Sequence, residues 1–266
     1  MDFHANIALH YLKPKNNSFI SLLSFISISG IAIGVMVLIL AISEMSGFGH
    51  VFKKKIIGIE SQIIVLNHKG RINHYKSVTK DISGIKGVKS TSPFIYTDAM
   101  ISSDNTSAGS ILRGIDAKTE EKVTNLKRYL IKGNLSGLNN KKVKSIVLGY
   151  ILAQHLEVSV GDKVLVMSPE GQTTAFGVMP KIEWFTVCGI INSGMYNYDS
   201  TFSFISIKNA QMFLGLASKT VTGIEVRLNK LSSANPYAKK IEMILNKKPS
   251  SSFCPPCMIL IDYHTP

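Results

Sequence analysis

The chain has 266 residues, of which 45% are hydrophobic, and its formal net charge is +13 with a pI near 9.6. Lysine supplies most of this charge, since the only arginines are Arg71, Arg113, Arg128 and Arg227. A nucleic-acid groove needs clustered arginines and stacking aromatic rings, and this sequence does not combine them. The composition therefore favours a lysine-rich solvated surface over a nucleic-acid partner, with attraction to anionic lipid headgroups as an additional role.

The first 18 residues precede a long apolar stretch. Phe3, Ile7 and Tyr11 recur at every fourth position and Pro14 follows them. This spacing places the three side chains on one face of a helix, which proline then ends. The pattern predicts a short helix in the membrane interface over residues 1–18, and a disordered head is the alternative.

Residues 19–42 contain no charged side chain and would span ~36 Å as a helix, more than the ~30 Å hydrocarbon core of a bilayer. We therefore predict a transmembrane helix over residues 19–45. A cleaved signal peptide is the alternative, although its apolar core is shorter, about 7–15 residues. Gly30 and Gly34 form a GxxxG motif, which lets a second helix pack closely in lipid. The flanking lysines do not fix the orientation of the span.

Residues 46–249 alternate short β-rich runs with short helical patterns, which is typical of an α+β domain. The spacing of Phe48, Phe52 and Ile56 first predicts a helical stalk that continues from the span. Residues 112–207 are interpreted as a smaller lobe inserted into the first one. Residues 250–266 show no periodicity and are interpreted as an atypical tail. Strands are predicted at 61–68, 87–103, 109–116, 183–192, 201–207 and 222–229, helices at 74–84, 208–216 and 235–247, and a strand-helix-strand unit at 144–169.

No motif for catalysis or cofactor binding stands out. The sequence lacks a GxxxxGK[ST] phosphate loop, an HExxH zinc motif and a GxSxG nucleophile motif. The histidines are scattered, and Cys188 lies in an apolar run. Cys254 and Cys257 have redox spacing, but no helix pattern follows them to lower a thiolate pKa. We therefore expect no enzyme activity, catalytic residue, metal site or cofactor.

Residues 170–184 separate two strong strand patterns and are longer than a hairpin turn requires. Phe176, Val178 and Met179 stand there among glycine and proline, which predicts a loop with an exposed apolar tip. Exposed apolar loops bind partners more often than they stabilise their own domain. The segment is a candidate binding site, and a loop folded back onto the core is the alternative.

A series of motifs in a fixed order resembles one known family. The motifs are ALHYLKPK, the span FISLLSFISISGIAIGV, Met45-Ser46-Gly47-Phe48 at its end, LRGID, the VGDKV turn, TAFGVMP and INSGMYNYDSTFSFI. They are similar to the LolC and LolE transmembrane subunits of the lipoprotein-releasing ABC transporter, over about residues 4–230. The resemblance implies a non-catalytic permease subunit that releases lipoproteins from the bacterial inner membrane and passes them to a periplasmic carrier.

The resemblance also implies a fold and two sites. The fold is one N-terminal transmembrane helix followed by a two-lobed MacB-like periplasmic domain, with a porter-like lobe and an inserted smaller α/β lobe. Residues near the outer end of the span would line the lipoprotein cavity, with Met36, Leu40, Ser43, Met45 and Phe48 as candidates. The segment that matches TAFGVMP would be a protruding hairpin, the hook, which binds the carrier LolA. The hook comprises Thr174, Ala175, Phe176, Gly177, Val178, Met179, Pro180 and Lys181.

Partners follow from the same resemblance. They are a LolD-type ATPase, a second LolC- or LolE-type subunit, the carrier LolA, the lipoprotein substrate and membrane lipid, with the main domain in the periplasm. Members of the family continue into three more spans, so the chain is expected to be truncated after the periplasmic domain. The alternatives are a membrane-anchored periplasmic binding module without transport activity, and a MacB- or FtsX-type ABC subunit, against which TAFGVMP argues.

Overall fold

A computed structural model describes residues 18–57, 61–67, 70–140, 143–174, 177–229, 234–246 and 257–261. The interfacial helix predicted over residues 1–18 lies outside the described residues, except for its last one. The chain divides into two compact units, Met1–Lys55 and Ile56–Pro266. Each unit is described by itself below.

Helix α1 runs from Ser18 to Ile57. Its segment Phe25–Glu44 has a mean hydropathy of 2.7 and is long and apolar enough to cross a membrane. The hydroxyl of Ser29 donates to the carbonyl of Phe25 one turn earlier, so this polar group is satisfied inside the helix. The helix predicted over residues 19–42 is confirmed, and the helical stalk is confirmed as far as Ile57.

The second unit mixes strands with short helices, which confirms the predicted α+β class. Its strands are β1 Ile63–Asn67, β2 Ile72–Asn73, β3 Val88–Ser102, β4 Ser107–Ile115, β5 Leu130–Gly133, β6 Ser145–Gly149, β7 Lys163–Thr174, β8 Gly177–Ile191, β9 Phe202–Ser206, β10 Thr220–Val221, β11 Gly223–Leu228 and β12 Cys257–Ile261. Its helices are α2 Tyr75–Ser83, α3 Ala117–Val123, α4 Tyr150–His155, α5 Tyr196–Thr201, α6 Ile207–Leu214 and α7 Ala234–Asn246. The 3₁₀ turns Leu126–Tyr129 and Leu135–Asn139 flank β5.

Ten strands form one mixed sheet in the order β12-β1-β11-β3-β4-β9-β6-β8-β5, with β7 paired to both β3 and β8. The strands β3, β4, β9, β6, β8 and β7 therefore close into a ring. The length of β3 makes this closure possible, because one of its edges pairs with β11 through residues 88–94 and with β7 through residues 100–102. The pairs β4–β9 and β6–β8 are parallel. A separate small sheet pairs β2 with β10.

Two clusters of buried apolar side chains form the core of the second unit. In the larger cluster the rings of Phe185 and Phe213 meet edge to face, with centroids 6.2 Å apart. The smaller cluster includes Leu135 and Phe204, and all of its members fall within residues 112–207. This is the region predicted to form an inserted lobe, and the division into two lobes stays a prediction.

The structure differs from the sequence predictions at three places. Residues 170–184, predicted as a loop, belong to strands β7 and β8 wherever the structure describes them. Helix α5 was not predicted, and the carboxylate of Asp199 accepts from the backbone N–H groups of Ser193 and Gly194 and closes the turn before this helix. The aperiodic tail also contains the strand β12, which pairs with β1 and is too short to show a pattern.

Candidate functional site

The hairpin formed by β7 and β8 is the most prominent feature of the second unit. Its strands pair from Lys163 opposite Thr186 to Thr174 opposite Gly177. β7 shares its last rung with β3 at Met167, and the hairpin continues for seven residues beyond that rung. Beyond it the described strands pair only with each other, over roughly 20 Å of strand length. The hairpin therefore projects past the sheet that supports it.

The pairing of the hairpin shifts register where it leaves the sheet. Three residues of β7, Pro169, Glu170 and Gly171, lie between two rungs where β8 has only Pro180. Proline cannot donate to a strand ladder, so it is confined to edges and irregular positions such as this one. A bulge of this kind bends the strand and changes the direction of the residues that follow. The glycine and proline residues at this position also interrupt the apolar pattern by which a strand is recognised in a sequence.

The base of the hairpin carries an exposed apolar surface. Met100, Ile182 and Trp184 are 47%, 52% and 55% exposed, although all are large apolar residues. Met100 pairs with Met167, which pairs with Ile182, and Leu165 pairs with Trp184, so the five side chains share one face of three strands. We call Met100, Leu165, Met167, Ile182 and Trp184 the outer apolar face. The sequence analysis missed it, because residues 164–167 are all apolar and their sequence does not distinguish an outward face from a core face.

The predicted hook residues lie at the end of this hairpin. Thr174 ends β7, and Gly177, Val178 and Met179 begin β8, while Ala175 and Phe176 are outside the described residues. Pro180 is exposed.

The last predicted hook residue, Lys181, is half-buried and points toward helix α6. Its Nζ lies 3.0 Å from the position that a β-carbon would take on Gly215, the left-handed C-cap of α6. A cation there is favoured by the partial negative charge of the helix end. The structure therefore brings the described hook residues together on one hairpin, but places the ammonium of Lys181 at its base.

The cavity and packing candidates all lie on helix α1. Met36 and Leu40 are 59% and 61% exposed, and Ser43 is also exposed. A β-carbon on Gly30 or Gly34 would meet no atom within 4 Å. Met45 and Phe48 belong to α1 by their backbone. The surface of α1 that these described side chains form is open to lipid or to another helix.

A buried charge cluster ties helix α3 to the sheet. Arg113 of β4 donates to Glu225 of β11 at 2.6 Å, and Glu120 of α3 lies 3.9 Å from the same guanidinium. The hydroxyls of Ser92 and Thr124 donate to Glu120. Burial, and then repulsion by Glu225, raise the pKa of Glu120 to about 7. Burial lowers the pKa of Arg113, but the two carboxyl groups raise it by more, so the guanidinium stays charged.

Titratable side chains do not gather into a metal site in the part of the chain that the structure describes, where no group of three or more His, Cys, Asp and Glu residues has suitable geometry. Cys188 is partly buried, and its burial raises the pKa of the thiol to about 11, which disfavours the reactive thiolate. Cys254 lies outside the described residues, and Cys257 is the first residue of β12.

The fold and the hairpin define a class of proteins in which a membrane-length apolar helix leads into a mixed α/β domain. The chain belongs to the MacB-like periplasmic core domain family, which it matches over residues 24–244. The extracellular domain of the noncanonic ABC-type transporter YknZ from Gram-positive bacteria has a similar fold, with a TM-score of 0.50 and 14% identity. That match covers 74% of this chain and 99% of the other.

The names of the curated relatives agree with the resemblance that the sequence motifs indicate. The lipoprotein-releasing system transmembrane protein LolC of Neisseria meningitidis serogroup B is 30% identical over 223 residues, which are 84% of this chain and 53% of that protein. The LolE protein of Haemophilus influenzae is 26% identical over 252 residues, covering 89% and 59% respectively. The predicted resemblance to LolC and LolE is confirmed. The chain spans a little over half the length of these relatives.

Proposed function

We propose that the chain serves as a non-catalytic membrane subunit of an ABC transporter that releases lipoproteins from the bacterial inner membrane. The names of the LolC and LolE relatives and the membrane-length helix α1 support this proposal. The MacB-like family supports a periplasmic location for the second unit. ATP hydrolysis would belong to a separate LolD-type subunit, and a second LolC- or LolE-type subunit would complete the membrane part.

We also propose that the hairpin binds the lipoprotein carrier LolA. The observation that supports this is that the hairpin projects past the sheet. Beyond Met167 its described strands pair only with each other, so their outer edges offer backbone groups to a partner strand. The outer apolar face lies at its base, and exposed patches with tryptophan and methionine are typical of protein-binding surfaces. The carrier would contact the hook residues at the tip and the outer apolar face beneath them.

Helix α1 would supply part of the cavity that holds the acyl chains before transfer. Met36 and Leu40 present flexible apolar side chains on its exposed surface. Gly30 and Gly34 leave space for a neighbouring helix at van der Waals distance. The helix would therefore pack against other spans through its glycines and contact lipid or substrate through its larger residues.

A photo-crosslinking experiment tests carrier binding. The photoreactive residue benzoylphenylalanine replaces Met179 in the hook or Ile182 in the outer apolar face, in the full chain in membrane vesicles, and purified LolA is added. Both positions should capture the carrier. The matched control is Met243 of α7, an exposed methionine outside the hairpin, which is 60% exposed and should capture none. Equal capture at Met243, or crosslinks only within the chain, would refute the assignment of the hairpin.

A membrane-anchored binding module is a second candidate, because the hairpin and the outer apolar face lie entirely within the second unit. Carrier binding would then need no other subunit. The two functions differ in lipoprotein release from vesicles that also contain a LolD-type ATPase and a second subunit. ATP-dependent release supports the transporter subunit, whereas capture without release supports the binding module. A MacB- or FtsX-type subunit would show neither capture nor release.

A further inference from the structure

One end of the second unit is the place where the chain enters it. Strand β1 begins there, and Gln62, the residue before it, accepts from the backbone N–H of Leu228 at the end of β11. Strand β3 also begins at this end, because Leu228 pairs with Val88. Helix α3 ends beside it, where the carbonyl of Lys122 accepts from the hydroxyl of Ser90 at 2.7 Å. The starts of β1 and β3 and the ends of β11 and α3 therefore lie together.

Exposed lysines surround this end. Lys89 follows Val88 on β3, and Lys86 stands in the turn between α2 and β3. Lys80 lies in the last turn of α2, and its carbonyl accepts from the N–H of Gly84, which begins the turn to β3. We define the basic end by four exposed residues, which are Lys80, Lys86, Lys89 and Lys122.

Acidic residues do little to balance these cations. Glu121 of α3 is engaged by Lys127 at 3.5 Å, and Asp81 of α2 is half-buried. None of the four lysines forms an ion pair with a residue that the structure describes. Arg227 adds a further positive charge, and its guanidinium donates to the carbonyl of Val123 at 2.6 Å. The basic end therefore carries a net positive charge.

The opposite end of β3 carries the opposite charge. Asp104 is exposed in the turn after β3, and Glu157 and Asp162 are exposed in the segment that leads into β7, which begins beside the end of β3. Lys163 is the exposed cation among them. The ends of this 15-residue strand are about 45 Å apart along its length, whereas salt screens charges beyond about 10 Å. The acidic residues therefore do not cancel the field of the basic end.

The chemistry of the basic end fits a surface of phosphate groups. Lysine is a flexible, strongly hydrated point charge, whereas recognition of one small anion more often uses the rigid fork of an arginine. Three further lysines, at positions 53–55, directly precede the second unit, and a segment long enough to cross a membrane precedes them. Lysine clusters that follow a membrane span are typical of segments that bind anionic phospholipids.

We infer that the basic end binds the headgroups of anionic phospholipids, of which phosphatidylglycerol is a simple example. The ammonium groups contact the lipid phosphates, and repulsion by the same lipids turns the acidic end of β3 away from them. Several weak contacts would thus orient the second unit on the lipid surface. The inference rests on the membrane location in the proposed function, but on neither carrier binding nor lipoprotein release.

Amine footprinting of the full chain in lipid nanodiscs tests this inference. The nanodiscs contain phosphatidylcholine alone or an equal mixture with phosphatidylglycerol, and acetylation of each lysine is followed by mass spectrometry. Acetylation of Lys89 should be at least about fivefold slower in the mixed lipid, since a lysine near an anionic surface gains roughly this preference for it. Lys163 should react equally in both lipids. High salt should remove the protection of Lys89, because it screens the attraction.

Two double variants locate the interaction. Lys86→Gln with Lys122→Gln should reduce the protection of Lys89 to about twofold or less, because two of the neighbouring charges are lost. The matched control is Lys132→Gln with Lys208→Gln, which removes the same charge outside the basic end and should keep the protection. All four substituted residues are exposed, so both variants should fold normally.

Equal acetylation of Lys89 in the two lipids, or equal loss of protection in the two double variants, would overturn the inference. Protection of Lys89 by inorganic phosphate in nanodiscs of phosphatidylcholine alone would also overturn it, because a free anion would then be the ligand. In those neutral nanodiscs, LolA capture at Ile182 should be the same with and without the substitutions at Lys86 and Lys122. This readout separates failure of the inference from failure of the proposed function.

Discussion

The cluster around Arg113 places two carboxyl groups against one guanidinium inside the second unit. Glu225 holds the short contact at 2.6 Å, and Glu120 stands at 3.9 Å. With both carboxylates ionised the cluster would carry a net negative charge in a buried place, which is unfavourable. Protonation of Glu120 removes one of the two negative charges. Burial, and then repulsion by Glu225, therefore raise the pKa of Glu120 from 4.5 to about 7.

We predict that the stability of the second unit falls as pH rises from 4.5 to about 7 through the titration of Glu120. In that window the folded protein holds a proton that the unfolded chain has released, so a higher pH favours unfolding. Glu120→Gln should remove this slope, because glutamine does not titrate. Urea unfolding across the window, followed by the fluorescence of Trp184, the only tryptophan, measures it.

The control for this prediction is Glu121→Gln. Glu121 is the next residue on α3, but its side chain is 36% exposed and faces Lys127 at 3.5 Å. Exposed ion pairs contribute little to stability, so this variant should keep the pH slope of the parent. A slope that survives in Glu120→Gln would show that other groups cause it.

At the scale of elements, the contact of α6 with β4 depends on the absence of a side chain at Gly114. A β-carbon there would lie 2.5 Å from the Cβ of Ala210 and 3.1 Å from the Cβ of Ile95. Gly114→Ala should therefore push α6 from the sheet and destabilise the second unit by about 1–3 kcal/mol, the usual cost of overpacking. The midpoint of urea unfolding measures this loss.

Gly109→Ala is the matched control, because Gly109 lies on the same strand and a β-carbon there meets no atom within 4 Å. Its midpoint should stay within experimental error or rise slightly, since alanine restricts the unfolded chain more than glycine does. Equal destabilisation by the two substitutions would contradict the packing argument and indicate a general intolerance of β4.

Strands with a clear run of apolar residues were predictable from sequence, and the hairpin was not. The apolar runs SIVLG and FSFIS correctly predicted the strands β6 and β9, which are buried on both faces. In the hairpin, Pro169 and Pro180 break the run at a register shift, so the pattern indicated a loop. The outer apolar face was hidden for another reason. Leucine and tryptophan usually lie in a core, and only the pairing of strands shows that Leu165 and Trp184 face outward.

At the scale of the whole molecule, long-range strand pairing explains why the cavity at the carboxyl ends of β4 and β9 could not be predicted. β3 closes the ring by pairing with β7, far along the sequence. The cavity wall combines Tyr75, Asp116, Lys144 and Lys208, which become neighbours only after these long-range pairings form. Sequence spacing reports local periodicity and carries no information about such contacts. The segment Phe25–Glu44 of helix α1, in contrast, was predictable because its length and high mean hydropathy are local properties.

The ring also separates the proposed binding element from the core. The residues of β7 and β8 beyond Ser168 and Lys181 pair only with each other among the described strands, so the core should not need them. We predict that replacing residues 169–180 by Asn-Gly, a favoured two-residue turn, leaves the unfolding midpoint unchanged and abolishes LolA capture. Capture is read from a benzoylphenylalanine at Ile182, which the shortened chain retains.

A control shortens a different hairpin. Residues 103–106 join Ser102 of β3 to Ser107 of β4, and Asn-Gly in their place leaves the β7–β8 hairpin intact. This variant should still capture LolA at Ile182. Loss of stability in the first variant would mean that the projecting strands support the core. If the shortened chain folds and captures LolA as well as the parent does, the outer apolar face binds the carrier alone and the hook is dispensable.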